Sequence, residues 1–288
     1  MVKNAKHPAS KNPFLEVRVR DLSVDPSLRG LCVGYDNGKW RLSEFARHVI
    51  EWLPEFALDS SEWESIDHEN CVRMVGKAAA SVYTSDKYQK RGEFGEIFLH
   101  IALRQDCGSI PAISKIYFKS ASNDTVKGFD AVHIVGEPGN LELWLGEVKF
   151  YDSISRAISD IVDELKKHTA RNYLREEFLW IGNKLDPVTP HFAEIEKLLD
   201  RNNSLDKVFK RLCFPVLLTY DSTCVGSHTI CDAAYIKAFE KEIRAHYSTL
   251  LTKILPANVR IHVILLPLHQ KVALVQELDR RLKQCQDM

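Results

Sequence analysis

The chain has 288 residues, with 39 basic and 39 acidic side chains and a hydrophobic content of 45%. This is enough sequence for one large globular domain or two small ones. The balanced charge excludes a chain-wide basic field, so a nucleic-acid-binding face has to be local or shared with a partner. The absence of an 18-residue apolar run and of a signal-peptide pattern predicts a cytoplasmic protein that does not enter the membrane.

Residues 1–85 are predicted to form a helix-rich N-terminal region and are a candidate surface for docking a partner. The first 14 residues are polar and basic, and we expect them to be loosely held. Two strands are predicted within residues 15–40, the second broken by a turn signal at 36–38. Apolar residues at helical spacing then predict three helices, from Ser43 to Pro54, over 68–83 and over 87–104.

The middle of the chain is rich in strand-forming residues. Three strands are predicted, over 114–119, 128–135 and 141–151. The sequence EPGN at 137–140 predicts a turn between the last two strands. An apolar stripe of helical period follows over 153–167, with Asp152 or Ser153 as the N-cap.

The C-terminal part continues the alternation of strands and helices. Strands are predicted over 212–220 and 259–267, and helices over 232–254 and 270–284. The helix at 270–284 is a second candidate docking surface. The order of elements predicts an α/β fold with a mixed central sheet flanked by helices.

The strand at 141–151 breaks its own apolar pattern with two charged residues. Glu147 and Lys149 stand two residues apart, where alternation predicts apolar side chains. Residues i and i+2 of a strand point to the same face, so the carboxylate and the ammonium group leave the sheet together. Glu164 and Lys166 have the same spacing on a predicted helix, where their side chains diverge, and we interpret that pair as a solvated helix face.

Asp130 supplies a second unexpected acid at the start of the preceding strand. If the two strands form a hairpin about the turn at 137–140, Asp130 and Glu147 are equally far from the turn and lie opposite each other. Two close carboxylates repel unless a cation lies between them. Oxygen ligands with room for water and phosphate suit Mg²⁺, with Mn²⁺ as a possible substitute.

These residues resemble the motif of the PD-(D/E)XK nuclease family, with Phe129 in place of the proline. More closely, the segments RGEFGE, KGFD, LGEVKFYDS and PVLLTYDS resemble the nuclease subunit, HamA, of Hachiman anti-phage defence systems. The resemblance spans roughly residues 86–222. It implies a restriction-endonuclease-like fold, with a nuclease domain over 86–288 whose catalytic core covers about 86–170 and the two later strands.

The resemblance also implies roles for individual residues. Asp130 and Glu147 are expected to bind the metal, together with the backbone carbonyl of Val148. Lys149 is expected to position or activate the attacking water and to stabilise charge on the phosphate. An acid from the preceding helix commonly completes such a site, and Glu93 and Glu96 are equal candidates.

The function implied is that of a bacterial Mg²⁺-dependent deoxyribonuclease that acts in antiviral defence. Its expected partners are DNA and a helicase subunit that controls its activity. Two alternatives stay open. One is a non-catalytic adaptor that keeps the nuclease fold to dock a helicase, and the other is a restriction-type endonuclease. A structural salt bridge among Asp130, Glu147 and Lys149 is the simplest non-functional explanation of the charges.

Cysteine usage adds little to this hypothesis. Seven cysteines at irregular spacing favour a reducing compartment over a disulfide framework. Cys224, His228 and Cys231 form the tightest group of possible zinc ligands, but the cysteines are too far apart and a fourth ligand is missing. His100 and His133 are interpreted as packing residues.

Overall fold

A computed structural model describes residues 13–83, 92–114, 128–257 and 259–288. Within these ranges the strands are β1 (Glu16–Asp21), β2 (Ser27–Cys32), β3 (Tyr35–Asp36), β4 (Lys39–Trp40), β5 (Ile110–Ser114), β6 (Ala131–Val135), β7 (Glu142–Phe150), β8 (Leu212–Asp221) and β9 (Ile261–Leu268). The helices are α1 (Leu42–Glu51), α2 (Leu53–Ala57), α3 (Ser60–Glu64), α4 (Cys71–Val82), α5 (Glu93–Cys107), α6 (Ile154–His168), α7 (Arg171–Lys184), α8 (Phe192–Leu199), α9 (Leu205–Phe209), α10 (Thr223–Ser227), α11 (Ala233–Leu251) and α12 (Lys271–Gln286).

Seven of these strands form one mixed sheet in the order β1-β2-β9-β8-β7-β6-β5. The four central strands β2, β9, β8 and β7 are parallel, whereas β1, β6 and β5 pair antiparallel at the edges. Central parallel strands are covered on both faces, which explains why β8 is a nearly continuous apolar run. The predicted mixed sheet flanked by helices is confirmed.

The two faces of the sheet carry separate hydrophobic clusters. Trp144, Val148 and Phe150 of β7 pack with helices α1, α2, α4, α5 and α12, on what we call the α5 face. Leu143 and Leu145 pack with α6, α7, α8, α9 and α11, on what we call the α6 face. Because side chains alternate along a strand, the odd-numbered positions of β7, including 147 and 149, belong to the α6 face.

Most predicted elements are present. The short helices α2, α3 and α10 were not predicted, and three larger differences follow. The strand predicted at 114–119 lies mainly outside the described residues, and the strand found before the gap is β5. The helix predicted from residue 87 begins at Glu93, after a segment that is not described. The sequence analysis predicted no helices over 169–211, where the structure contains α7, α8 and α9. In the parts of the chain that the structure covers, no helix is long and apolar enough to cross a membrane.

The N-terminal region contributes two strands to the central sheet as well as helices. The pairing of β2 with β9 joins residues 27–30 to residues 262–265. The proposed domain boundary near residue 85 falls in an undescribed segment, so the placement of that boundary stays a prediction.

The hairpin of β6 and β7 has the predicted register. Its turn is closed by a hydrogen bond from the Asn140 N–H to the Glu137 carbonyl at 2.8 Å. Ala131 pairs with Gly146, and the Asp130 N–H also donates to the Gly146 carbonyl at 2.9 Å. Asp130 is therefore not a ladder partner of Glu147 but lies beside Gly146, next to the position that equal spacing from the turn predicts.

Two glycines allow α5 to lie close against the other side of β7. A Cβ atom at Gly95 would stand 2.8 Å from Cβ of Phe150 and 3.1 Å from Cγ2 of Val148. A Cβ atom at Gly146 would stand 2.7 Å from Cδ2 of Leu99. Helix and strand therefore approach more closely than any larger residue permits, and α5 supports the strand that carries Glu147 and Lys149.

The contact at Gly95 predicts a measurable loss of stability. Gly95→Ala should lower the free energy of unfolding by about 1–3 kcal/mol, because the new methyl group meets a Cβ atom that cannot turn away. Gly182→Ala on α7 is the matched control, since a Cβ atom there meets nothing within 4 Å. That substitution should stabilise the protein by up to about 1 kcal/mol. Denaturant unfolding of both variants is the measurement, and equal stabilisation by both would contradict the close packing of α5.

Candidate active site

Glu147 and Lys149 project together from the α6 face of β7. Pairing of Glu147 with Val216 and of Lys149 with Leu218 on β8 fixes their positions along the strand. Each side chain contacts α6: Glu147 contacts His168, and Lys149 contacts Glu164. Only 1% of Glu147 is exposed to solvent. The strand thus directs a buried carboxylate and an ammonium group to one side of the sheet.

Asp130 lies beside these two residues, at the end of the β6–β7 ladder. Its Oδ2 accepts a hydrogen bond from the Val148 N–H at 2.8 Å, and the residue is 7% exposed. The N–H and C=O of one strand residue point toward the same neighbouring strand, so the Val148 carbonyl faces the side of Asp130 as well. The carboxylate of Asp130 and the carbonyl of Val148 therefore lie along the same edge of β7.

Glu164 was interpreted as part of a solvated helix face, and the structure corrects this interpretation. Lys166 is exposed, but Glu164 is only partly exposed and forms an ion pair with Nζ of Lys149. The two side chains diverge around the helix as predicted. Glu164 lies next to the buried Leu165, at the border of the apolar stripe, so it can reach the sheet.

His168 is a residue that the sequence analysis missed. Its Nδ1 lies 2.5 Å from Oε1 of Glu147. The ring stacks on Tyr173 at a centroid distance of 4.2 Å and meets the ring of Phe129 edge-on at 5.3 Å. The predicted helix ended at residue 167, whereas α6 includes His168 and places it one turn after Glu164, on the same side.

The imidazole of His168 is neutral at pH 7. Burial lowers its pKa to about 4, even though the carboxylate of Glu164 acts in the opposite direction. A neutral ring with a proton on Nδ1 donates a hydrogen bond to the Glu147 carboxylate. The contact between Nδ1 of His168 and Oε1 of Glu147 fixes the orientation of the Glu147 side chain.

Lys149 carries its positive charge in this environment. Burial acts to lower the pKa of Lys149, but the hydrogen bond to Glu164 and the charges of Glu164, Glu147 and Asp130 outweigh burial and raise it. An ammonium group with a raised pKa cannot remove a proton at neutral pH. Lys149 is therefore a cation within this group of carboxylates, and the catalytic role expected for it stays a prediction.

One group of metal-ligating side chains comes together in the described residues. Glu147, Glu164 and His168 each place one ligand atom within 4.8 Å of the others. Asp130 is not part of that group, although its charge acts on both Lys149 and His168. The arrangement thus contains one expected ligand and two that were not expected.

Glu93 and Glu96 lie in the first turn of α5, and both are buried. This helix packs on the α5 face of β7, so the strand separates it from the side chains of Glu147 and Lys149. Around the helix, Glu96 is about 100° from the strand-facing Gly95 and Glu93 about 160°, so Glu96 points closer to β7. A role for either residue in metal binding stays a prediction.

The possible zinc ligands Cys224, His228 and Cys231 do not form a ligand cluster with one another. All three are described, and Nδ1 of His228 contacts the carbonyl oxygen of Cys224 at 2.8 Å. His133 faces the α5 face, where it contacts Oγ of Ser109 at 2.7 Å and the ring of His100. His100 and His133 are thus buried side chains that pack against each other.

Comparison with known proteins identifies the family. The family model HamA matches residues 9–282, which is nearly the whole chain, so the chain belongs to the HamA family. No curated protein matches the chain. Membership in the HamA family is consistent with a component of a Hachiman defence system.

The charge arrangement predicts that Lys149 stabilises the metal-free protein. Lys149→Met should lower the free energy of unfolding in EDTA by about 2 kcal/mol, because the carboxylates of Asp130, Glu147 and Glu164 lose a shared cation. Lys166→Met removes an exposed lysine from α6 and should change stability by less than about 0.5 kcal/mol. Thermal or urea unfolding compares the two variants. Equal stability of both would show that Lys149 does not neutralise the cluster.

Proposed function

We propose that this member of the HamA family is the nuclease effector of a Hachiman anti-phage defence system. In this role it hydrolyses the phosphodiester bonds of DNA in a metal-dependent reaction. The observation that carries the proposal is the meeting of Glu147 and Lys149 on one face of β7, with Asp130 beside them. Family membership supports a role in defence, and the catalytic part of the proposal rests on these residues.

The donor groups fit a divalent cation such as Mg²⁺ or Mn²⁺. Asp130 and Glu147 offer carboxylate oxygens, and the Val148 carbonyl faces the same edge. Neighbouring carboxylates that are this deeply buried are costly unless a cation lies among them. Asp130, Glu147 and the Val148 carbonyl would hold the ion. When bound, the ion would act as a Lewis acid toward the phosphate and lower the pKa of a bound water.

The side chains of the chain itself then have distinct tasks. The Val148 N–H orients the carboxylate of Asp130, and the imidazole of His168 orients that of Glu147. The ammonium group of Lys149 stabilises the negative charge that grows on the phosphate in the transition state. The ion pair with Glu164 holds Lys149 as a fixed cation, and we assign it this role rather than that of the base.

The same cluster argues for an enzyme over a non-catalytic adaptor. Burying ionisable groups gives little net stability, and an apolar replacement of similar volume is often as stable or more so. An adaptor that uses the fold only for docking gains nothing from burying the carboxylate of Glu147, which is 1% exposed to solvent. A reaction that needs a desolvated carboxylate and a fixed ammonium group explains why Glu147 and Lys149 are both present at this position.

Burial of the site supports control by a partner. Glu147 is almost inaccessible, and Lys149 is held by Glu164. A DNA phosphate has to reach Lys149, so the surroundings of this residue have to open or rearrange first. A helicase subunit that senses DNA is the partner we propose for this step. The balanced net charge is compatible with a chain that binds DNA weakly alone.

Cleavage assays test the proposed reaction. The wild-type chain with its helicase partner should degrade linear or plasmid DNA in Mg²⁺ or Mn²⁺ but not in EDTA. Glu147→Gln and Lys149→Met should each lower the rate by at least about 100-fold, because one removes a metal ligand and the other the cation that stabilises charge. Lys166→Met is the control and should cleave normally. Retained cleavage by either site variant, or full cleavage in EDTA, would refute the assigned roles.

Control by the partner predicts a difference between the isolated chain and the complex. The two should cleave DNA at different rates, and the complex should respond to the form of the DNA or to nucleotide, because the helicase is proposed to govern access to the site. Rates measured on equal amounts of nuclease, with and without the helicase and ATP, provide the comparison. Equal rates under every condition would remove the support for control by a partner.

A further inference from the structure

The last turn of α6 brings two further ligand atoms to Glu147. Glu164 and His168 are four residues apart, so their side chains lie on one side of the helix. With Glu147 from β7 they form the group of three whose ligand atoms all lie within 4.8 Å of one another. Neither Glu164 nor His168 belongs to the motif that led to the proposed function.

The distances suit a metal ion after a small movement. Neighbouring ligands of an octahedral ion with bonds of about 2.1 Å are about 3 Å apart. Nδ1 of His168 and Oε1 of Glu147 are 2.5 Å apart. An opening of about half an ångström between these two atoms makes room for an ion. Glu164 holds Lys149 through Oε2, which leaves Oε1 for the metal.

The ring of His168 is held in place before any ion binds. Stacking on Tyr173 and the edge contact with Phe129 restrict its rotation. His168 is also among the buried residues of the chain, as is Glu147. A preorganised, partly desolvated nitrogen ligand loses little conformational freedom when it binds a metal.

The chemistry of the three ligands distinguishes among metals. Mg²⁺ prefers oxygen ligands and retains much of its water, whereas imidazole nitrogen suits first-row transition ions. We propose that Glu164 and His168 join Asp130, Glu147 and the Val148 carbonyl as ligands of the metal ion of this chain. We further propose that His168 makes the site prefer a first-row transition ion, with Mn²⁺ as the probe, over Mg²⁺. The inference rests on the proposed nuclease site, since Glu147 is common to both, and it adds two ligands and a metal preference.

Metal binding by the whole chain tests this inference without reference to cleavage. Calorimetric titration should give the wild type at least about tenfold higher affinity for Mn²⁺ than for Mg²⁺. His168→Gln should lower Mn²⁺ affinity by about 10- to 100-fold and remove the preference. Glu164→Gln should weaken both metals. Asp163→Asn, which changes an exposed acid on the same helix, is the control and should bind as the wild type does.

Pulsed electron paramagnetic resonance on the Mn²⁺-loaded wild type gives a second readout that needs no variant. Coupling of the ion to a ¹⁴N nucleus is expected, and it should be absent in His168→Gln. No Mn²⁺ binding by the wild type, no nitrogen coupling, or unchanged affinity in His168→Gln would each overturn the inference.

A parallel cleavage assay separates this inference from the proposed function. Metal-dependent cleavage that requires Glu147 but not His168, without nitrogen coupling, would leave the nuclease proposal standing and refute His168 as a ligand. Nitrogen coupling in a complex that cleaves no DNA would support the metal site and refute the nuclease.

Discussion

The contact between the last turn of α6 and strand β7 is the interaction on which the site depends. Glu147 accepts a hydrogen bond from His168, and Lys149 pairs with Glu164, so a helix and a strand hold each other through four polar groups. A buried carboxylate and a largely buried ammonium group are tolerated only when such partners are present. The sheet brings the charges of Glu147 and Lys149 together, and α6 supplies Glu164 and His168, the side chains that they contact.

The architecture around this contact explains how it is kept in place. On one side, Gly95 and Gly146 let α5 pack closely against β7, so the helix supports the strand. On the edge, the hairpin brings Asp130 next to Gly146, and the Val148 N–H orients the Asp130 carboxylate. Toward the centre, pairing with β8 fixes the register of β7. The proposed ligands lie on the β6–β7 hairpin and on α6. The packing of α5, the hairpin and the pairing with β8 are three separate contacts that keep them in place.

Much of the central strand geometry could be predicted from the sequence. Two charged residues that stand two positions apart on an apolar strand point to the same face of the sheet. The turn at 137–140 determines which residues of β7 lie near Asp130. His168 and the role of Glu164 could not be predicted, because helical periodicity gives a buried stripe but not the angle at which the helix crosses the sheet. Ending the helix at residue 167 also removed His168 from consideration. The undetected helices α7, α8 and α9 are a different case, because Leu174, Phe178 and Ile181 of α7 and Ile195 and Leu199 of α8 do recur at helical spacing. Periodicity was therefore sufficient to predict α7 and α8, and the sequence analysis did not use it there.

The central claim is that these side chains surround a divalent metal ion. The most direct measurement is a crystal structure of the whole chain grown in Mn²⁺, with anomalous diffraction recorded at the manganese edge. The account predicts one strong anomalous peak within bonding distance of the Glu147 carboxylate, on the α6 face of β7. A fully ordered site without a peak, or a peak bound elsewhere while Glu147 keeps its hydrogen bond to His168, would contradict it.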